Sequence, residues 1–308
     1  MDGMTASMPT LYLVDGSMYV FRAWHAMPGD FLDIDGHPVS AVHGFTRFLC
    51  ELLERARPSH VIVAFDGSLT TSFRNDIYPS YKANREMPPA ELEYQFVLCR
   101  KISAAMGITT LIDDAFEADD LIGSALWTAR AEGFRSVIVS ADKDFGQLLG
   151  EYDEQWDYAR NHRWGPAGVH AKLGVHPAQV ADYLALCGDS VDNIPGVPGV
   201  GAKTAAALLA HFGTLDALLE RVDEVAFLSL RGAKSCAARL RKHADDARLF
   251  RRLTRIALDA PVPAQTATHL RRVPTDDLET LTEHLRMGPL TRERLRKLRD
   301  TVAVKEPI

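Results

Sequence analysis

Three short apolar runs, each stopped by an acid, set the pattern of the chain. Thr10 to Val14 ends at Asp15-Gly16, His60 to Phe65 ends at Asp66-Gly67, and Ser136 to Ser140 leads into Asp142-Lys143-Asp144. Apolar runs of this length without alternation read as strands buried on both faces. Helical periodicity fills the intervals. From Ser40 to Arg57 the pattern puts Val42, Phe45, Leu49, Leu52 and Leu53 on one face, and Pro58 stops it. From Leu121 to Ala131, Ile122, Ala125, Leu126 and Ala129 recur at i, i+3, i+4 and i+7. Strands separated by helices predict βαβ units and a parallel sheet, in which ligands bind outside the carboxyl ends of the strands. One terminal Asp is an ordinary turn residue. Three on the core strands of one sheet predict a shared acidic crevice.

Glu117-Ala118-Asp119-Asp120 adds three carboxylates at the start of the second of these helices. Capping is the ordinary role of acids there, worth roughly 0.3–1 kcal/mol each at the positive end of the helix. One cap already satisfies that end. Two unit charges about 4–5 Å apart repel by roughly 3–4 kcal/mol at an effective dielectric of 20. A cation among the oxygens offsets that repulsion, and hard oxygen-only clusters suit magnesium or manganese.

Residues 67–100 are different in kind. Thr70, Thr71, Ser72, Arg74, Asn75, Tyr78, Tyr81, Lys82, Asn84 and Arg85 form a polar stretch with aromatics between basic residues, and a helical run begins at Glu91 after Pro88-Pro89. Such a composition beside an acidic crevice suits phosphate contact and base stacking, though a plain loop reads similarly. Trp156, Tyr158 and Trp164 are expected to pack a domain edge. Ala178 to Cys187 is helical by pattern and leads into Gly188-Asp189-Ser190-Val191-Asp192-Asn193. Asp189 and Asp192, three apart, are expected to share a helix face. Gly199-Val200-Gly201 predicts a hairpin between two helices, whose backbone N–H groups approach a phosphate with Lys203 adding charge. Helical pattern runs on to about Ile256 and returns from Asp276 to Arg299, interrupted at Gly288-Pro289. No GxGxxG or GxxxxGK[ST] accompanies the hairpin, which disfavours nucleotide binding of the P-loop kind.

Composition narrows the classes. The 308 residues, 46% hydrophobic and 25% charged, suit one large or two smaller globular domains. No apolar run approaches the ~20 residues that span a bilayer. Met1 to Pro9 lacks the regions of a signal peptide, and the first eight residues are expected to be loose, with Met4 and Met8 as other starts. Cys50, Cys99, Cys187 and Cys236 form no CxxC pair and read as buried, reduced thiols of a cytoplasmic protein. The net charge of −6 hides a basic run, nine Lys or Arg against two acids between Arg231 and Arg255, which permits DNA binding.

In order along the chain stand LYLVDGSMYVFRAWHA from Leu11, FDG at Phe65, YKANR at Tyr81, EADD at Glu117, ADKD at Ala141, GDSVDNIPGVPGVGAKTA from Gly188 and RGAK at Arg231. Together these resemble the 5′-nuclease family, the flap endonucleases and the 5′→3′ exonuclease domain of bacterial DNA polymerase I. The resemblance runs from Leu11 to about Pro263. It implies an α/β fold: a parallel-sheet, PIN-like (resolvase-like) nuclease core over residues 1–175, with a helical arch at about 68–100. A helix-hairpin-helix (helix-three-turn-helix) region with C-terminal helices follows over 176–308. The chain stops where that domain ends, so a stand-alone nuclease is expected.

By the same resemblance, Asp15, Asp66, Glu117 and Asp119 hold one divalent metal, with Asp120 close by. Asp142, Asp144, Asp189 and Asp192 hold a second, with all nine acids in one pocket. Arg22, Lys82 and Arg85 meet the scissile phosphate, with Tyr81 among the DNA-binding residues. Gly199, Gly201 and Lys203 grip duplex backbone, where main-chain carbonyls also hold a potassium ion. The implied reaction is Mg2+- or Mn2+-dependent hydrolysis of DNA at 5′ ends and 5′ flaps, by a monomer, in replication and repair. Two metals activate the water and stabilise the leaving oxygen, so no histidine base is required. Trp24 departs from the family pattern, where a Tyr is common, and Asp113-Asp114 are extra acids without a metal role. A noncatalytic DNA-junction binder and a metal-dependent ribonuclease on a related fold are the alternatives. The hairpin weighs against the ribonuclease because it suits B-form duplex.

Overall fold

The computed structural model describes residues 8–68, 71–264, 268–271 and 275–303. The looseness expected of the first eight residues therefore falls almost wholly outside the described residues. In chain order the elements are β1 (Thr10–Asp15), α1 (Gly16–Ala26), α2 (Ser40–Ala56), β2 (His60–Asp66), α3 (Phe73–Ile77), α4 (Ala90–Ala105), β3 (Thr109–Asp113), α5 (Ala118–Ala131), β4 (Arg135–Val139), β5 (Glu154–Asp157) and β6 (His162–Trp164). Helices α6 (Pro166–Leu173), α7 (Val180–Cys187), α8 (Ala202–Phe212), α9 (Leu215–Glu220), α10 (Ala233–Lys242), α11 (Ala244–Thr254), α12 (Thr275–His284) and α13 (Pro289–Ala303) complete the chain. They form two compact units interleaved in sequence. One takes Met1–Leu69, Met87–Ser140 and Leu258–Ile308, the other Thr70–Glu86 and Ala141–Ala257.

The first unit holds four parallel strands in the order β3-β2-β1-β4. Leu11, Leu13 and Val14 of β1 and Val61, Ile62 and Val63 of β2 are fully buried, as strands covered on both faces must be. Helix α5 packs against the strands with Ile122, Ala125, Leu126 and Ala129 turned inward, the face its periodicity predicts. Strand β3 escapes the sequence reading because it is an edge: Thr109 and Thr110 are half-buried and Ile112 is exposed, leaving no continuous apolar run. Helices α12 and α13 pack on α4 and α2, so the C-terminal helices belong to this unit. Among the described residues no helix is long and apolar enough to cross a membrane. Cys50, Cys99 and Cys236 are buried, Cys187 is half-buried, and all four are free thiols. Burial pushes the Cys50 thiol up to about 12, which keeps it inert.

The second unit is mostly helical, with an antiparallel pair, β5 and β6, beside it. Those strands are short and polar. Their buried apolar residue is Trp156, flanked by the buried polar Gln155 and Asp157, and its ring lies 3.8 Å under the Arg163 guanidinium. Helix α7 stops at Gly188 (φ 81°), and the chain then turns rather than continuing as helix. Asp189 and Asp192 consequently lie in a turn closed by paired backbone bonds between Asp189 and Ile194 at 2.7 and 2.8 Å, which corrects the expected helix face. The reason is local: Gly196 folds back so closely that a Cβ there would stand 2.3 Å from the Gly188 nitrogen. Only glycine permits that contact, at a φ of 68°.

Candidate metal and nucleic-acid site

Each unit carries one group of the predicted acids. In the first, the ends of β1, β2 and β4 and the start of α5 are joined by hydrogen bonds. Asp15 N-caps α1, accepting from the Met18 amide at 3.0 Å, and its other oxygen accepts from the Ser140 hydroxyl at 2.9 Å. The Asp66 amide donates to Ser17 Oγ at 3.0 Å, and the Asp66 carboxylate accepts from the Ala118 amide at 2.9 Å. Glu117 and Asp120 cap α5 reciprocally, the Glu117 amide donating to Asp120 at 3.1 Å. Asp120 is fully buried in that role, whereas Asp119 in the same turn is half-exposed. The capping explanation thus holds for Glu117 and Asp120 and does not account for Asp119. Arg22 is exposed on α1. Asp113, among the extra acids, caps the turn after β3 by accepting from the Ala115 and Phe116 amides.

The second group has a different chemistry. Asp142 caps a short 3-10 turn over Lys143–Leu148, accepting from the Asp144 amide at 2.9 Å. Burial, then the negative charge of Asp142, Asp189 and Asp192, pushes the Asp144 carboxyl well above the usual carboxylate range, against the pull of Lys143. Its Oδ1 is buried and makes no hydrogen bond among the described residues, its charge being met by Lys143 at 3.4 Å. Lys143 stands between the acids, 2.6 Å from Asp189 and 3.4 Å from Asp144. Burial pulls its pKa down, but Asp144, Asp189 and Asp142 outweigh that and raise it. Arg85 reaches Asp192 at 2.8 Å, and Lys82 faces it at 4.0 Å. Four carboxylates make an all-oxygen donor set of the kind that suits a hard divalent cation.

Among the described residues, the trio whose ligand atoms lie within 4.8 Å of one another is Asp33, Asp35 and His37. The predicted acids are set wider than that. Asp33 is occupied as a structural cap: its buried carboxylate accepts from the Asp35 and His37 amides at 2.9 Å and the Tyr94 hydroxyl at 2.8 Å.

Two residues of the polar stretch are corrected. Tyr81 is 3% exposed, with its hydroxyl donating to Asp192 at 3.2 Å, so its ring cannot stack on a base. Arg74, 2% exposed, donates to the carbonyls of Leu253 and Arg255 and holds the end of α11. Lys82 and Arg85 keep an exposed aspect.

In the second unit the hairpin before α8 presents Gly199, Gly201 and Lys203 to solvent. Arg239, which the sequence reading passed over inside its basic run, lies against this hairpin: a Cβ on Gly199 would meet its guanidinium at 3.1 Å. Its Nε is buried without an acceptor among the described residues. No periodicity marks it, because it stands among the exposed basic residues Lys234, Arg241 and Lys242 of the same helix.

Residues 10–174 match the 5′-3′ exonuclease N-terminal resolvase-like domain, and residues 175–277 match the 5′-3′ exonuclease C-terminal SAM fold. The chain belongs to the 5′-3′ exonuclease family. It is 42% identical over 259 residues to DNA polymerase I of Rhizobium leguminosarum, covering 82% of this chain and 25% of that protein. To DNA polymerase I of Mycobacterium tuberculosis it is 41% identical over 274 residues, covering 87% of this chain and 29% of that one. The chain thus spans under a third of the length of these relatives. Its fold is similar to that of T5 5′-exonuclease with bound zinc (TM-score 0.65, 19% identity, 96% and 98% of the two chains). It is also similar to the catalytic core of Rad2 in complex with DNA substrate (TM-score 0.61, 16% identity, 94% and 91%).

Proposed function

We propose that the protein is a structure-specific 5′ nuclease that hydrolyses DNA phosphodiester bonds at 5′ ends and 5′ flaps, leaving a 5′ phosphate and a 3′ hydroxyl. The observation that carries this reading is the second group of acids, where Asp142, Asp189 and Asp192 act on the buried Asp144 and where Arg85 and Lys82 face Asp192. Asp142, Asp144, Asp189 and Asp192 would hold one divalent cation, and Asp15, Asp66, Glu117 and Asp119 the other, with Asp120 bracing the helix start. Two magnesium or manganese ions, when bound, would supply an activated water and neutralise charge at the phosphorus and the leaving oxygen. The chain's own contribution is to present acids for the ions and bases for the phosphate. Lys82, Arg85 and Arg22 offset charge on the nonbridging oxygens, and the hairpin with Lys203 grips duplex backbone without reading bases. Carbonyls of that hairpin would hold the potassium ion that the resemblance implies. Residues 1–175 would carry most of the catalytic acids and 176–308 duplex binding together with Asp189 and Asp192, in a cytoplasmic monomer serving primer and flap removal. The T5 protein is described as a flap endonuclease in complex with DNA and metal ions, which supports the substrate class.

The test is a 5′-labelled flap DNA beside its RNA counterpart, with Mg2+ and with chelator. Metal-dependent release of the DNA flap is expected. Equal cutting of the RNA would favour the ribonuclease reading, and binding without cutting would favour the junction binder. A second prediction concerns the hairpin. Lys203→Ala and Arg239→Ala should each weaken binding to unbranched duplex and reduce its salt-dependence slope by about 0.9 per lost phosphate contact. Unchanged slopes would remove both residues from the interface.

A further inference from the structure

Asp192 is engaged by more of the chain than a metal ligand requires. Its Oδ1 accepts from Arg85 Nη2 at 2.8 Å and faces Lys82 Nζ at 4.0 Å, while the Tyr81 hydroxyl donates to Oδ2 at 3.2 Å. The Asp192 carbonyl accepts from the Lys82 amide at 3.0 Å. Two neutral bonds flank this cluster: Asn84 Nδ2 donates to the Ser190 carbonyl at 2.9 Å, and Asn193 Nδ2 to the Ser80 carbonyl at 2.6 Å. Lys82 (φ 54°) and Asn193 (φ 56°) both adopt left-handed backbone, which non-glycine residues keep only where the surroundings hold them. Residues 80–85 are thereby fastened to the turn 189–193, and every charged contact of that junction goes to one carboxylate.

The same carboxylate belongs to the charge crowd around Asp144. Within that crowd the protein's own cations divide the acids: Lys143 serves Asp144 and Asp189, while Arg85 and Lys82 serve Asp192. The Arg85 side chain is 42% exposed, and ion pairs with that much solvent contribute about 0–1 kcal/mol. A divalent cation drawn to the group bids for the same oxygen with twice the charge.

We propose that Asp192 is a positioning residue that holds Lys82 and Arg85 against its own turn, and that a divalent cation binding the acid group releases them towards the substrate phosphate. The exchange leaves no charge unpaired: Asp192 passes from the basic pair to the cation, and the basic pair passes to the phosphate oxygens. The phosphate-binding side chains are then offered only when the site is loaded. This inference rests on the metal assignment proposed above.

The test needs no DNA and no turnover. Hydrogen exchange of peptides covering residues 78–86 is followed with and without Mg2+, and calorimetry on the same samples reports whether Mg2+ binds. In the parent, Mg2+ should speed exchange of this segment roughly tenfold, as expected for loss of a local closing interaction. Asp192→Asn should exchange fast from the outset and no longer respond to Mg2+. Asn84→Ala, which cuts a neutral bond, should raise the starting rate yet keep the Mg2+ response. Bound Mg2+ with unchanged or slower exchange in the parent would overturn this inference alone. So would Asp192→Asn that still responds like the parent. Absence of Mg2+ binding would overturn the metal assignment and this inference with it.

Discussion

Asp119→Asn is expected to lower Mg2+-dependent flap cleavage by about 10²–10³-fold or more, with the melting transition unchanged. The substitution keeps the shape of the side chain and removes its charge. Asp119 lies in the first turn of α5 with its side chain half-exposed, and the capping of that helix is done by its neighbours. Asp120→Ala should behave in the opposite way. Its carboxylate is fully buried and accepts from the Glu117 amide at 3.1 Å, so its loss should cost about 1 kcal/mol of stability. Single-turnover cleavage and urea unfolding of the two variants separate the roles of adjacent acids. Parental activity in Asp119→Asn would defeat the metal assignment of the first group.

The largest effect on stability is expected at Arg74. Its guanidinium is buried in the second unit, donating from Nε to the Leu253 carbonyl at 2.8 Å and from Nη2 to the Arg255 carbonyl at 2.9 Å. Carbonyls at a helix C-terminus have no partner within the helix and favour a cation. Phe73 lies 4.5 Å and Tyr81 5.9 Å from the same guanidinium. Hydrogen bonds from a charged group contribute about 1.5–3 kcal/mol each, so Arg74→Met should destabilise by about 3–5 kcal/mol. Arg74→Lys should recover little, because a single ammonium cannot span both carbonyls with the arginine fork. The urea midpoint measures both. A loss below about 1 kcal/mol for Arg74→Met would show that other contacts hold the end of α11.

These two sites mark how far the sequence could be read. The strands β1, β2 and β4 and the buried face of α5 were legible because a fully covered strand needs an unbroken apolar run and an amphipathic helix a 3.6-residue period. Strand β3 and the pair β5 and β6 were not. An edge strand with Ile112 exposed, and a hairpin whose buried residues are Trp156 and the polar Gln155 and Asp157, satisfy burial with too few apolar residues to leave a period. Arg74 and Tyr81 show the converse error. Polar and aromatic residues in one stretch look like a nucleic-acid surface, yet chain distant in sequence folds over both and buries them.

The sequence by itself determined the core strands β1, β2 and β4, the buried face of α5 and the family, because each buried strand, helix period and motif writes its own local signature. Only the tertiary structure decided the task of each acid. Whether an acid caps a helix, as Asp120 does, or holds a basic segment, as Asp192 does, depends on partners far away along the chain. Burial and charge at one carboxylate are sums over those partners, and local pattern carries no record of them.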